Sequence, residues 1–136
     1  MSLISRGLAV SALALALSAP ALGTAHAAGN NWKTMATFNG GKVQACKVAT
    51  TDSGPWKVKL RVNAASAKSR VNGSAYVVKG SDTVDHWKSG WVAKGHVSAV
   101  GTVKLPRGSS YSLNVGIATA NAGNGGTFTA GQIRGC

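Results

Sequence analysis

Two histidines, His86 and His96, are the side chains of the expected mature chain best suited to moving protons near neutral pH. With a lysine nearby, such a pair could cleave RNA, one imidazole acting as base and the other as acid. The rest of the inventory gives them little help. The chain has no Glu, and its three acids, Asp52, Asp82 and Asp85, fall in or beside turn-forming stretches. Asp82 and Asp85 lack a third acidic ligand for calcium. Asp85 and His86 are consecutive, so on a strand they leave opposite faces and make a poor catalytic pair. None of the motifs H-E-x-x-H, G-x-S-x-G or G-x-x-x-x-G-K-[ST] occurs. A thiol nucleophile would need a free cysteine, and Cys46 and Cys136 are expected to be oxidised. The sequence therefore predicts a protein that is not an enzyme and needs neither a cofactor nor a metal.

Binding chemistry is better represented. Lys57, Lys59 and Arg61 recur at every second residue, which sets their stems roughly 6.5–7 Å apart along one side of a strand. That spacing suits a row of phosphates or carboxylates. It equally suits a strand that turns its charges to water and discourages edge-to-edge association. Trp87 and Trp91 are four apart and share a face if their strand is regular. Exposed, they would stack on sugars or bases or centre a protein interface. Turned inward, they are core, and Gly90 between them could mark a bulge that sends the rings to different faces.

These side chains must be carried by strands. Trp56, Val58, Leu60 and Val62 alternate without a fault against Lys57, Lys59, Arg61 and Asn63. Tyr111, Leu113, Val115 and Ile117 make a second such row, and Val97, Ala99, Gly101, Val103 and Leu105 a third. Weaker strands are expected at Trp32–Phe38, Val43–Ala49, Arg70–Lys79, Asp85–Ala93 and Thr127–Ile133. Turn clusters separate them, among them Asn39-Gly40-Gly41, Thr51 to Pro55, Pro106 to Ser110 and the Gly-rich Asn121 to Gly126. Only Ala64 to Ser69 has room for a helical turn. The expected architecture is all-β, a small antiparallel sandwich of about eight strands closed by one disulfide.

The chain opens on a positive start, Met1 to Arg6, an apolar run from Gly7 to Leu17, and small residues ending Ala25-His26-Ala27. This is the order of a secretory signal peptide, here expected to be residues 1–27. The apolar run falls short of the roughly 20 residues a membrane span needs. Residues 28–136 then form one exported domain with no transmembrane segment and a short flexible arm at 28–32. Outside the cell Cys46 and Cys136 are expected to pair. A bridge within the chain closes a loop of about 90 residues, worth roughly 4–5 kcal/mol in the chain-entropy account. Alternatively Cys136, at the very end, joins a second chain. The formal net charge of +12, lowered by one when Arg6 is removed, points to anionic partners.

Cys46 and the finish Gly131-Gln132-Ile133-Arg134-Gly135-Cys136 resemble the frame of secreted carbohydrate-binding modules of the cellulose- or chitin-binding sandwich type. Such modules have one Cys early and one at the end of an Asn-Gly finish; the Asn is absent here. The plan of the whole chain (signal peptide, one small sandwich, short arm) also resembles the β-rich adaptor subunit of umbrella toxin particles, secreted antibacterial assemblies of mycelial soil bacteria. That resemblance implies a subunit joining a trypsin-like or lectin-bearing partner to a large toxin subunit. Gly29, Asn30, Asn31 and Trp32 would be the residues inserted into the partner's cleft. The sequence thus predicts a secreted binding or adaptor protein that partners another secreted subunit. A cell-wall polysaccharide module and a cationic, polyanion-binding protein are the alternatives.

Overall fold

The unbroken alternation from Trp56 to Asn63 is a strand, and its inner residues Val58, Leu60 and Val62 are wholly buried. The computed structural model describes residues 31–136. The expected signal peptide, together with Ala28, Gly29 and Asn30 of the expected arm, lies outside the described residues. Eight strands follow in order: β1 (Lys33–Phe38), β2 (Gly41–Ala49), β3 (Trp56–Asn63), β4 (Val71–Lys79), β5 (Asp82–Val92), β6 (Gly101–Leu105), β7 (Tyr111–Ala118) and β8 (Gly123–Phe128). A short 3-10 turn, Ala130–Gln132, precedes the C-terminus.

The strands form two four-stranded antiparallel sheets, ordered β1-β2-β3-β6 and β5-β4-β7-β8. The chain passes from one sheet to the other after β3, after β5 and after β6, so strands distant in sequence become neighbours. Val43, Leu60, Val62, Val103 and Leu105 of the first sheet face Val71, Val77, Leu113, Val115 and Ile117 of the second. This is the sandwich that the two-residue rhythm implies, each sheet burying one face against the other. Gly73 shows how close the sheets come. A Cβ there would stand 2.4 Å from a methyl of Val62, so only glycine fits.

Both seams between the sheets are tied by a side chain that bonds backbone across the gap. The Asp85 carboxylate accepts the backbone N–H of Lys104 at 2.7 Å, joining β5 to β6. The Asn124 amide donates to the Thr37 carbonyl at 3.1 Å, joining β8 to β1. These bonds occupy backbone groups of the outermost strands that would otherwise be open to another chain.

Cys46 and Cys136 are bonded to each other within the chain, their Cα atoms 4.9 Å apart. The bridge belongs to a larger arrangement. β1 pairs with β2 no further than Lys33 against Ala45. Beyond that point the C-terminal residues take over the same edge. Lys47 N–H donates to the Arg134 carbonyl, and Cys136 N–H donates to the Lys47 carbonyl, each at 2.9 Å. The last residues of the chain are therefore strand-paired as well as cross-linked.

Two of the expected strands require correction. The segment 97–100 is not part of β6: Val97 makes an isolated bridge to Asn63, and Val97 and Val100 are 47% and 50% exposed. Asn63 to Leu60 on β3 is matched by Val97 to Gly101, one residue longer, and the excess forms a bulge. The eighth strand is Gly123–Phe128 rather than Thr127–Ile133, and Gly123 to Gly126 of the Gly-rich turn cluster are its first four residues. Glycine is required there by close approach, since a Cβ at Gly125 would lie 2.5 Å from the Val115 carbonyl oxygen. Residues 64–69, the segment with room for a helical turn, form turns, with Ala64 and Ala67 buried beneath the loop.

Candidate functional site

Trp87 and Trp91 lie on opposite faces of the second sheet. Trp87 pairs with the buried Ala75 and packs against the core. Trp91 pairs with Asn72 on the outer face and is 47% exposed. The cause is a bulge: Lys88 to Trp91 takes four residues where the facing Asn72 to Ser74 takes three. Gly90 takes a φ of +68°, and the Ser89 hydroxyl accepts the Gly73 N–H at 2.9 Å in place of a ladder bond. The shared face that regular spacing implies is thereby lost.

The outer face of the second sheet assembles a different set of rings. Tyr76 and His86 are register partners on β4 and β5, with stacked rings 6.3 Å apart and 18° from parallel. Four residues along β4, roughly 13 Å away, Asn72 faces Trp91. The Arg70 guanidinium lies 4.7 Å from the indole centroid, a cation–π contact that holds the ring in place. Between these rings lies a depression of about 340 Å³ lined by Asn72, Ser74, Tyr76, Lys88 and Trp91. A second, of about 460 Å³, adjoins it through Asn72 and Ser74 and continues over Gly116, Gly123 and Gly125. The glycines make a low floor. Amides and hydroxyls stand along it, and the cations of this strip, Arg70 and Lys88, lie toward the β5 side.

The sequence pointed to Trp91 but missed Asn72, Ser74, Tyr76 and Arg70. Their alternation with Val71, Gly73, Ala75 and Val77 along β4 was the available signal, because it places the polar residues and Tyr76 outward together. His86 belongs to this face through Tyr76. His96 sits in the exposed turn between β5 and β6, where its carbonyl accepts the Ala64 N–H at 2.8 Å. The two histidines therefore belong to different elements with different partners. Among the described residues no three His, Cys, Asp or Glu side chains gather as a metal site requires.

Lys57, Lys59 and Arg61 share the outer face of the first sheet, as their spacing implies. β6 adds Lys104 directly opposite Lys57, and β2 adds Lys42 opposite Asn63. Arg61 donates to the Gln44 side-chain oxygen at 2.9 Å and stacks on Trp32 at 4.4 Å. Burial lowers its pKa from the ordinary value. Lys59 also has an interaction within the fold.

Trp32 and Asn31, expected in a flexible arm, are held to the domain. Asn31 N–H reaches the Cys136 carbonyl at 3.4 Å, and Arg134 donates to the Asn31 side-chain oxygen at 3.0 Å. Any insertion segment would have to begin before them, with Gly29 and Asn30, which lie outside the described residues.

A third cluster lies beside the loop that joins β2 to β3. Lys47 and Arg107 both stack on Trp56, at 4.6 and 4.0 Å from its centroid. The Lys47 amine donates to the Ala130 carbonyl, and Arg107 to those of Gly54 and Thr51. Desolvation, and after it the charge of Arg107, lowers the pKa of Lys47. These donors are spent on holding loops together.

Fold and surface define a class: a disulfide-closed antiparallel β-sandwich with an aromatic and amide face on one sheet and a cationic face on the other. Comparison with protein-family models, with curated proteins and with solved structures found no match.

Proposed function

We propose that this is a secreted, non-enzymatic binding protein whose recognition surface is the outer face of the second sheet and whose ligand is a saccharide chain. The observation that carries the reading is the strip running from the Tyr76–His86 pair to Trp91 past Asn72 and Ser74. A sugar ring presents an apolar C–H face edged by hydroxyls. Flat rings accept the first and amides and hydroxyls the second. The Arg70 contact sets the indole before a ligand arrives, which reduces the ordering cost of binding. Test the protein against insoluble chitin, cellulose and purified cell wall, alongside Trp91→Ala and Tyr76→Ala variants. Retention on one of these polymers, lost in both variants, is the expected result. Equal retention of the variants would overturn the reading.

The adaptor reading draws on a different observation. Because Asn31 and Trp32 are fixed beside Cys136, a segment before them is attached to the domain at a defined point. Such a segment could enter a partner's groove while the sheet faces remain available. Recovery of a larger subunit with this protein from culture fluid, abolished by deleting residues 28–30, would favour it over the saccharide reading.

A further inference from the structure

We infer that the outer face of the first sheet is a second binding site, separate from the saccharide face and built for a linear phosphodiester polymer without bases, of the poly(glycerol phosphate) kind. The central observation is a concentration of like charge on neighbouring strands. Lys57 and Lys104 are direct cross-strand partners on β3 and β6, and both are exposed. Like charges directly opposite one another destabilise a sheet. The nearby Asp85 carboxylate keeps its charge but is held by the backbone N–H groups of His86 and Lys104.

The cations also form a line. From Lys57 the face continues through Arg61 to Lys42, a run of roughly 20 Å along the strands. A flexible chain with a phosphate on every short repeat can lay successive charges on such a row and release its counterions. Binding of single-stranded nucleic acid calls in addition for open aromatic rings on which bases stack. The indole at this face, Trp32, is half-buried against the Arg61 guanidinium, whereas Trp91 on the other sheet stays 47% exposed beside Arg70. The face therefore offers charge without a stacking platform, which favours the polymer without bases.

The test is titration of the protein with poly(glycerol phosphate) and, separately, with oligo(dT) of equal phosphate number, over a range of salt. Engagement of about three phosphates predicts a roughly 20- to 40-fold loss of affinity between 50 and 200 mM salt. The double variant K57Q/K104Q should bind at least tenfold more weakly with a shallower salt slope, while melting no lower than the parent. Trp91→Ala should bind this polymer like the parent, which separates failure here from failure of the saccharide face. Unchanged binding by K57Q/K104Q, no binding at 50 mM salt, or a tenfold preference for oligo(dT) would each overturn the inference.

Discussion

The indole of Trp87 fills the space that a side chain at residue 101 would need. A Cβ on Gly101 would stand 2.0 Å from Nε1 of Trp87 and 2.1 Å from Cδ1. Gly101 begins β6 in the first sheet and Trp87 lies on β5 in the second. The contact thus spans the seam that Asp85 and Lys104 also tie.

Gly101→Ala should therefore destabilise the protein by about 1–3 kcal/mol, the usual cost of forcing atoms into a filled space. Trp87→Ala should cost about 3–5 kcal/mol through lost packing. The double variant should cost clearly less than the sum, because the clash disappears with the indole. Urea denaturation of the four proteins measures the coupling.

The two neighbouring tryptophans should separate by phenotype. Trp91→Ala should change stability by no more than about 0.5 kcal/mol, as expected of an exposed side chain, yet weaken saccharide binding by roughly ten- to thirtyfold. Melting curves and a binding isotherm on the same preparations decide it. A large loss of stability in Trp91→Ala would show that its ring is structural.

Replacing Cys46 and Cys136 together by Ala should lower stability by about 2–5 kcal/mol. The loss should fall at the upper end of that range if the strand pairing of residues 134–136 to Lys47 comes apart with the bridge. Hydrogen exchange at the amides of Lys47 and Cys136 reads that pairing directly.

Lys47 gives a pH signature. Its pKa is lowered in the fold, so the unfolded chain holds the proton more tightly and the folded state bears a cost wherever the amine is charged. As pH rises through the folded pKa toward the ordinary lysine value, that cost is relieved. The stability of the parent relative to Lys47→Met should therefore shift in favour of the parent between neutral and alkaline pH. Denaturation of both proteins at matched pH values isolates the contribution.

Much of the architecture was legible beforehand because period-two alternation reflects a local constraint. Successive side chains of a strand leave opposite faces wherever the strand is placed. The alternation marks the boundaries of β3 to the residue, and the shared outward face of Lys57, Lys59 and Arg61 follows from the same rule. The rule failed where the ladder takes an extra residue, at Ser89-Gly90 and between Ser98 and Gly101. A bulge is settled by the partner strand, which sequence spacing does not contain. It failed again at Gly123–Gly126, where strand formation rests on close backbone approach rather than on side-chain preference.

What the amino-acid order determined by itself was the two-residue pattern, the excess of positive charge, and the presence of two cysteines able to join. Only the folded chain decided that those cysteines meet, because pairing beside Lys47 carries the last residue to Cys46 across a separation of 90 positions. It also decided that Trp87 is core while Trp91 is surface, and that Lys104 stands opposite Lys57. Each of these depends on which strands become neighbours. That choice is made by the burial of whole sheets, not by the residues that happen to lie alongside.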